Sequence, residues 1–231
     1  MTSHAWPKAV LFDLDGTLVD SVPDIHEALN EMMAMEGRSL FTVEDVGRMI
    51  GGGVPKLVDR AYGALGVALA PDDRERLVAL YLSLYEPRAT RLTRLNAGAE
   101  EILSHLTDRG LKVGVVTNKP GAATVEILRH FTLEDRLHVV VGGDSGPPVK
   151  PAPGLLLMAA ERLGLDPADI VFVGDSDNDV DAAKAAGMTV VVVRGGYTIR
   201  PADALGAHAV IDRLDLLPHE FEGLGARVLA S

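Results

Sequence analysis

The chain of 231 residues contains no cysteine. That excludes disulfides, thiolate zinc sites, iron–sulfur clusters and cysteine nucleophiles. Basic residues are in the minority. There are 22 Lys and Arg against 33 Asp and Glu, a formal charge of -11. Such an acidic chain is poorly suited to nucleic acid or to an anionic membrane. A small anionic substrate stays compatible if a metal and local cations reverse the field in one pocket. Long apolar runs are missing as well. Every apolar stretch is broken by Gly, Pro or charge, short of the roughly 18 residues of a membrane span. The opening MTSHAWPKAV has no basic region leading into an apolar run, so no signal peptide is expected. A soluble cytoplasmic protein, monomer or homodimer, is the expectation. Low-complexity tracts and internal repeats are also missing.

What is present is a sizeable core, with 47% hydrophobic residues. KAVLFD (8–13), LKVGVVTN (111–118), LHVVVGG (137–143), DIVFVGD (169–175) and TVVVV (189–193) read as strands. They are near-continuous hydrophobic runs, as in a parallel sheet covered on both faces. Helical apolar spacing fills 97–110, 121–131, 153–164 and 178–187 between them. The alternation predicts a doubly wound, Rossmann-like α/β core. Residues 21–87 break the rhythm, reading as helices alone. The expected organisation is a core of 1–20 and 88–231, with a helical cap of 21–87 inserted after the first strand. Hinges are expected near Val19–Val22 and Glu86–Leu95.

Ligands of doubly wound sheets bind at the carboxyl ends of the strands. Polar groups gather at four such ends here. The first strand runs into Asp13 and Asp15, and the second into Thr117, Asn118 and Lys119. The third is followed by a loop reaching Lys150 in KPAP, and the fourth runs into Asp175, Asp177 and Asp179. Each has a plain reading: a turn aspartate before Gly16, a strand threonine, a turn asparagine, a solvated lysine. Their joint placement points to chemistry. Asp13 and Asp15 lie two apart in an extended segment and share a face. Two such carboxylates are costly unless a cation sits between them. Mg²⁺ takes one or two carboxylates together with phosphate oxygens. A carboxylate beside a phosphoryl group can act as nucleophile, and a second as acid and base. Thr117, with neighbouring backbone N–H groups, offers uncharged donors to phosphoryl oxygens. A lysine would offset their charge. Lys150 is preferred over Lys119, which shares its strand end with Thr117.

Other motifs carry less. GDSDNDVDAA from Gly174 places acids like a calcium loop, but Val180 and Ala186 stand where Gly and Glu are required. Asp177 and Asp181 are expected in solvent. GDSG around Ser145 looks like a serine protease motif on the wrong fold. Gly51-Gly52-Gly53 is no P-loop, since no Gly-Lys-Ser/Thr follows. It is either a turn between cap helices or a loop over the substrate.

DLDGT (13–17), Thr117, KPAP (150–153) and GDSDND (174–179) together resemble, in order, the four motifs of the haloacid dehalogenase superfamily. FDLDGTLVDS, VVTNKP, VVVGGD and VGDSDNDVDAAKAAG look like its bacterial phosphoglycolate phosphatases. The resemblance covers essentially the whole chain. It implies Asp13 as nucleophile and Asp15 as general acid and base, with Thr117 and Lys150 on the phosphoryl group. It implies Mg²⁺ held by Asp13, Asp175 and the backbone carbonyl of Asp15, supported by Asp179. Asn118, Gly16 and Gly52 are candidate substrate-binding positions. The true dehalogenases generally lack the second aspartate, so Asp15 argues for phosphoryl transfer. The implied activity is Mg²⁺-dependent hydrolysis of a small phosphomonoester, 2-phosphoglycolate first. Pyrophosphate, a sugar phosphate, a nucleotide, mutase chemistry, a non-catalytic binding protein and hydrolysis by Ser145 are the alternatives.

Overall fold

A computed structural model describes residues 6–228. Strand β1 (Ala9–Phe12) lies near the middle of a six-stranded parallel sheet. Its other members are β4 (Lys112–Val116), β5 (Val139–Val141), β6 (Ile170–Gly174), β7 (Thr189–Val193) and β8 (Ala209–Ile211), in the order β5-β4-β1-β6-β7-β8. The five strands expected from their hydrophobic runs are all present. β8 was not anticipated. Its three residues, Ala-Val-Ile, are too short a run to stand out from their flanks.

Side-chain alternation divides the interior. Val10 and Phe12 of β1 join one apolar cluster, and Ala9 and Leu11 join the other on the opposite face. Helices α5 (Ala99–Asp108) and α6 (Gly121–His130) cover the first face. Helices α7 (Gly154–Leu163) and α8 (Asp177–Ala185) cover the second. Helix α9 (Phe221–Val228) closes the described chain.

Between β1 and this core lie α1 (Val22–Met35), α2 (Val43–Gly47), α3 (Val54–Ala64) and α4 (Pro71–Tyr85), with no strand among them. Their apolar faces bury Leu29, Met32, Met33, Val58, Leu77 and Tyr81 in a cluster continuous with that of Val10 and Phe12. The chain enters this helical segment through β2 (Val19–Asp20) and leaves it through β3 (Arg94–Leu95). These two short strands pair antiparallel, Val19 opposite Leu95 and Asp20 opposite Arg94. Asp24, in the first turn of α1, fastens the exit. Its carboxylate accepts from the backbone N–H groups of Leu92 and Thr93 and from Thr93 Oγ1. Among the described residues, no helix is long and apolar enough to cross a membrane.

Candidate active site

Parallel strands put their carboxyl ends on one rim, and the four polar strand ends do meet there. The Asp13 N–H donates to Val173 O and the Thr117 N–H to Val141 O, so sheet pairing carries one residue past the strands and aims both into one cavity. The cavity has a volume of about 60 Å³ and is lined by Asp13, Asp15, Thr117, Asn118, Lys119 and Asp175 from the sheet side. The helical segment closes it with Ile25, Ile50, Val54, Leu57, Tyr81 and Tyr85.

Lys150 lies beneath the acids. Its Nζ is 2.8 Å from Asp13 Oδ1 and 2.7 Å from Asp179 Oδ1. Burial alone would lower the Lys150 pKa, but Asp13 and Asp179 reverse that and raise it, so the ammonium is fixed in its charged form. The contact to Asp13 is at ion-pair distance but off the hydrogen-bonding direction, and Asp13 Oδ1 is a buried oxygen without an aligned donor. Burial pushes the Asp13 carboxyl up to about 6, opposed by Lys150 and reinforced by Asp179 and Asp15. Asp175 is raised well above the usual carboxylate range, first by burial and then by Asp179 and Asp13.

Asp175 is gripped from two sides. Thr17 Oγ1 donates to its Oδ1 at 3.3 Å, and the Tyr197 N–H donates to its Oδ2 at 2.6 Å. A Cβ on Gly16 would sit 2.5 Å from Asp175 Oδ2, and Gly16 has φ +83. Glycine there serves both close approach and the left-handed backbone. Asp179 opens α8 in a capping box with Ser176. Its Oδ2 accepts from the Asp175 and Ser176 N–H groups and the Ser176 hydroxyl. These contacts hold Asp179 against the backbone of Asp175. Asp177, expected in solvent, keeps its side chain open to solvent there and pairs with the exposed Arg200 at 2.5 Å.

Oxygens of Asp13, Asp175 and Asp179 lie within 4.8 Å of one another. A buried all-oxygen set with one oxygen lacking a donor fits a hard divalent cation. Asp15 turns its carboxylate elsewhere. It accepts from Lys119 Nζ at 2.8 and 3.0 Å and from Ser21 Oγ at 2.5 Å. Four carboxylates, of Asp13, Asp15, Asp175 and Asp179, face the two lysines 119 and 150. With all four ionised, the excess of two negative charges would match one divalent ion.

Asn118 ties the loops together. Its amide donates to Gly51 O and Lys150 O, and its Oδ1 accepts from the Lys150 N–H. The glycine loop is thereby docked on the sheet rim, and Asn178 also donates to Gly51 O. Gly51 and Gly53 line the cavity. Gly52 faces an adjoining cleft with Lys56 and Arg60. Ser145 lies outside the cavity in a turn, its N–H donating to Gly142 O.

Sequence reasoning underweighted Lys119 and did not find Ser21 or Tyr197. Tyr197 lies in the loop after β7, and its place past the carboxyl end of a parallel strand is the signal that marks it. Its hydroxyl donates to Asp20 Oδ1 and accepts from the Ser21 and Val22 N–H groups.

Fold and site define a doubly wound α/β enzyme whose buried acidic pocket suits a divalent cation. Residues 7–187 match the haloacid dehalogenase-like hydrolases, and the chain belongs to that family. It is 43% identical over 212 residues to a plasmid-encoded phosphoglycolate phosphatase of Cupriavidus necator, with 91% of each chain covered. It is 38% identical over 209 residues to a phosphoglycolate phosphatase of Cereibacter sphaeroides, covering 90% of this chain and 95% of the relative. A crystal structure of a predicted phosphoglycolate phosphatase from Haemophilus somnus superposes with a TM-score of 0.84 at 30% identity. It covers 92% of this chain and 96% of the other.

Proposed function

We propose that the protein hydrolyses 2-phosphoglycolate to glycolate and phosphate through an aspartyl-phosphate on Asp13. The observation that carries the chemistry is the buried Asp13 carboxylate, charge-balanced by Lys150 at 2.8 Å and open to the cavity. An Asp13 oxygen attacks phosphorus and the bond to the glycolate oxygen breaks. Asp15 gives that oxygen its proton. Asp15 then takes a proton from water, the water oxygen attacks phosphorus, and phosphate leaves with the Asp13 carboxylate restored. Thr117 and Lys150 hold the phosphoryl oxygens. Asp13, Asp175 and the Asp15 carbonyl would hold the metal, Mg²⁺ on this reading, with Asp179 behind them. When bound, it neutralises charge between carboxylates and phosphate.

Substrate size supports a small acid. About 60 Å³ holds a few water molecules, far less than the roughly 300–1,000 Å³ of pockets for drug-sized ligands. The phosphoglycolate phosphatases among its relatives favour the two-carbon acid. Residues 21–87 act as a cap on a core of 1–20 and 88–231, hinged at the β2–β3 pair and excluding water while the aspartyl-phosphate exists. The acidic chain fits a cytoplasmic monomer or homodimer.

The test is phosphate release from 2-phosphoglycolate beside a panel of pyrophosphate, sugar phosphates and nucleotides, with Mg²⁺ and with excess chelator. Metal-dependent release led by 2-phosphoglycolate is expected. Metal-dependent release led by another compound would keep the chemistry and overturn the substrate.

A further inference from the structure

We infer that Lys119 is the residue that selects the carboxylate end of the substrate, an inference that rests on the 2-phosphoglycolate reading above. Among the described residues lining the cavity, Lys119 is the only cation. Lys150 lies below the acids and is held by Asp13 and Asp179. Lys119 is placed differently. Its side chain is 4% exposed, and its Nζ sits 4.8 Å from the centre of the Tyr85 ring. The ring face stabilises the ammonium on one side. The two oxygens of Asp15 engage it on another. An ammonium has three N–H donors, so one is left beyond the two directed at Asp15.

Apart from Tyr81 and Tyr85, the cap side of the cavity is apolar, with Ile25, Ile50, Val54 and Leu57, and the Tyr85 hydroxyl, buried without a hydrogen-bond partner among the described residues, is a neutral donor only. A carboxylate pushed against such a wall would lose its water and gain no countercharge in return. Lys119 is the partner that makes a charged tail tolerable there. The same wall tolerates a methyl group in place of the carboxylate. Discrimination between the two therefore falls mainly on this lysine, the one cation facing the tail among the described residues.

The competing role is positional, with Lys119 acting only by holding Asp15. The two roles separate on a pair of substrates of equal length: 2-phosphoglycolate, and ethyl phosphate, which replaces the carboxylate by a methyl group. Both need Asp15, but only one has a carboxylate. Wild type, Lys119→Met and Lys119→Gln are assayed on both in Mg²⁺, with melting curves as the folding control. Gln keeps a hydrogen bond to Asp15 and covers the case in which the Met variant does not fold. Wild type is expected to prefer 2-phosphoglycolate. Either variant loses on both substrates whatever Asp15 loses with its cation, so the preference is what reads the inference: kcat/KM on 2-phosphoglycolate relative to ethyl phosphate should fall about 30-fold or more, the extra loss carried mainly by KM. Equal losses on both substrates, with the wild-type preference intact, would overturn the role of Lys119 alone. A wild-type enzyme that cleaves ethyl phosphate no less efficiently than 2-phosphoglycolate would overturn the substrate reading itself, and this inference with it.

Discussion

Lys150 Nζ stands 2.8 Å from Asp13 Oδ1 while also contacting Asp179 at 2.7 Å, with all three groups nearly or fully buried. One ammonium thus holds together the end of β1, the loop after β5 and the start of α8. Replacing it by a neutral chain of similar volume leaves two buried carboxylates without a cation. Lys150→Met is expected to cost about 3–5 kcal/mol. At about 2–4 °C per kcal/mol for a chain of this size, Tm should fall by roughly 10 °C, with turnover lost. Adding Asp179→Asn should restore part of the stability. A Tm for Lys150→Met within about 2 °C of wild type would count against the pairing.

The Asp13 carboxyl, raised by burial to about 6, gives a pH signature in the metal-free protein. The folded state binds this proton more tightly than the unfolded chain, whose Asp titrates near 4. Stability from this group is therefore present below about pH 4 and lost as pH rises through about 6. Asp13→Asn mimics the protonated form. It should match wild type near pH 4 and exceed it by on the order of 3 kcal/mol at pH 7. Added Mg²⁺ should narrow the gap by stabilising wild type. Parallel melting curves across this range would refute the assignment.

Gly16 makes room for Asp175. Alanine there would place Cβ 2.5 Å from Asp175 Oδ2 at φ +83. Gly16→Ala is expected to displace the carboxylate and weaken metal binding by about 10-fold or more, a loss of the size seen when metal-site support is removed. Calorimetric titration with Mg²⁺ on metal-free protein reads this directly. Unchanged affinity would show that Asp175 does not reach the metal.

Tyr197 links Asp175 to the entry of the helical segment. Its N–H donates to Asp175 while its hydroxyl engages Asp20, Ser21 and Val22 at the entry to α1. Tyr197→Phe leaves the N–H of buried Ser21 without its partner, at a cost of about 1–3 kcal/mol, while Asp20 is exposed and the Val22 N–H keeps Asp20 Oδ1. Hydrogen exchange should quicken in the first turn of α1 and stay unchanged in β6. Uniform exchange along the chain would remove the latch from the account.

The sequence made some of this legible and not the rest, for physical reasons. The strands showed because a parallel sheet buried on both faces needs unbroken runs such as Val171, Phe172 and Val173. Asp13, Thr117, Lys150 and Asp175 showed because each sits at a strand end or in the loop after one, where topology converges. Lys119 was read as a rival of Lys150, yet the two serve different acids, Asp15 and Asp13. A one-dimensional reading has no means of assigning partners across the sheet. The two-residue strands β2 and β3 carry no periodicity, and their pairing joins positions 19 and 95. Asp24 is an acid in the first turn of α1, and nothing in its local sequence marks it out. Its three donors come from a loop far along the chain.

The central claim is that Asp13 carries the phosphoryl group. The stereochemical course at phosphorus tests it most directly, with a 2-phosphoglycolate analogue carrying sulfur and oxygen-18 on a phosphorus of known configuration, hydrolysed in water enriched in oxygen-17. Two in-line displacements, the first by Asp13 and the second by water, each invert phosphorus. The account predicts net retention of configuration in the thiophosphate released. Net inversion would mean that water attacks the substrate directly and would contradict the account.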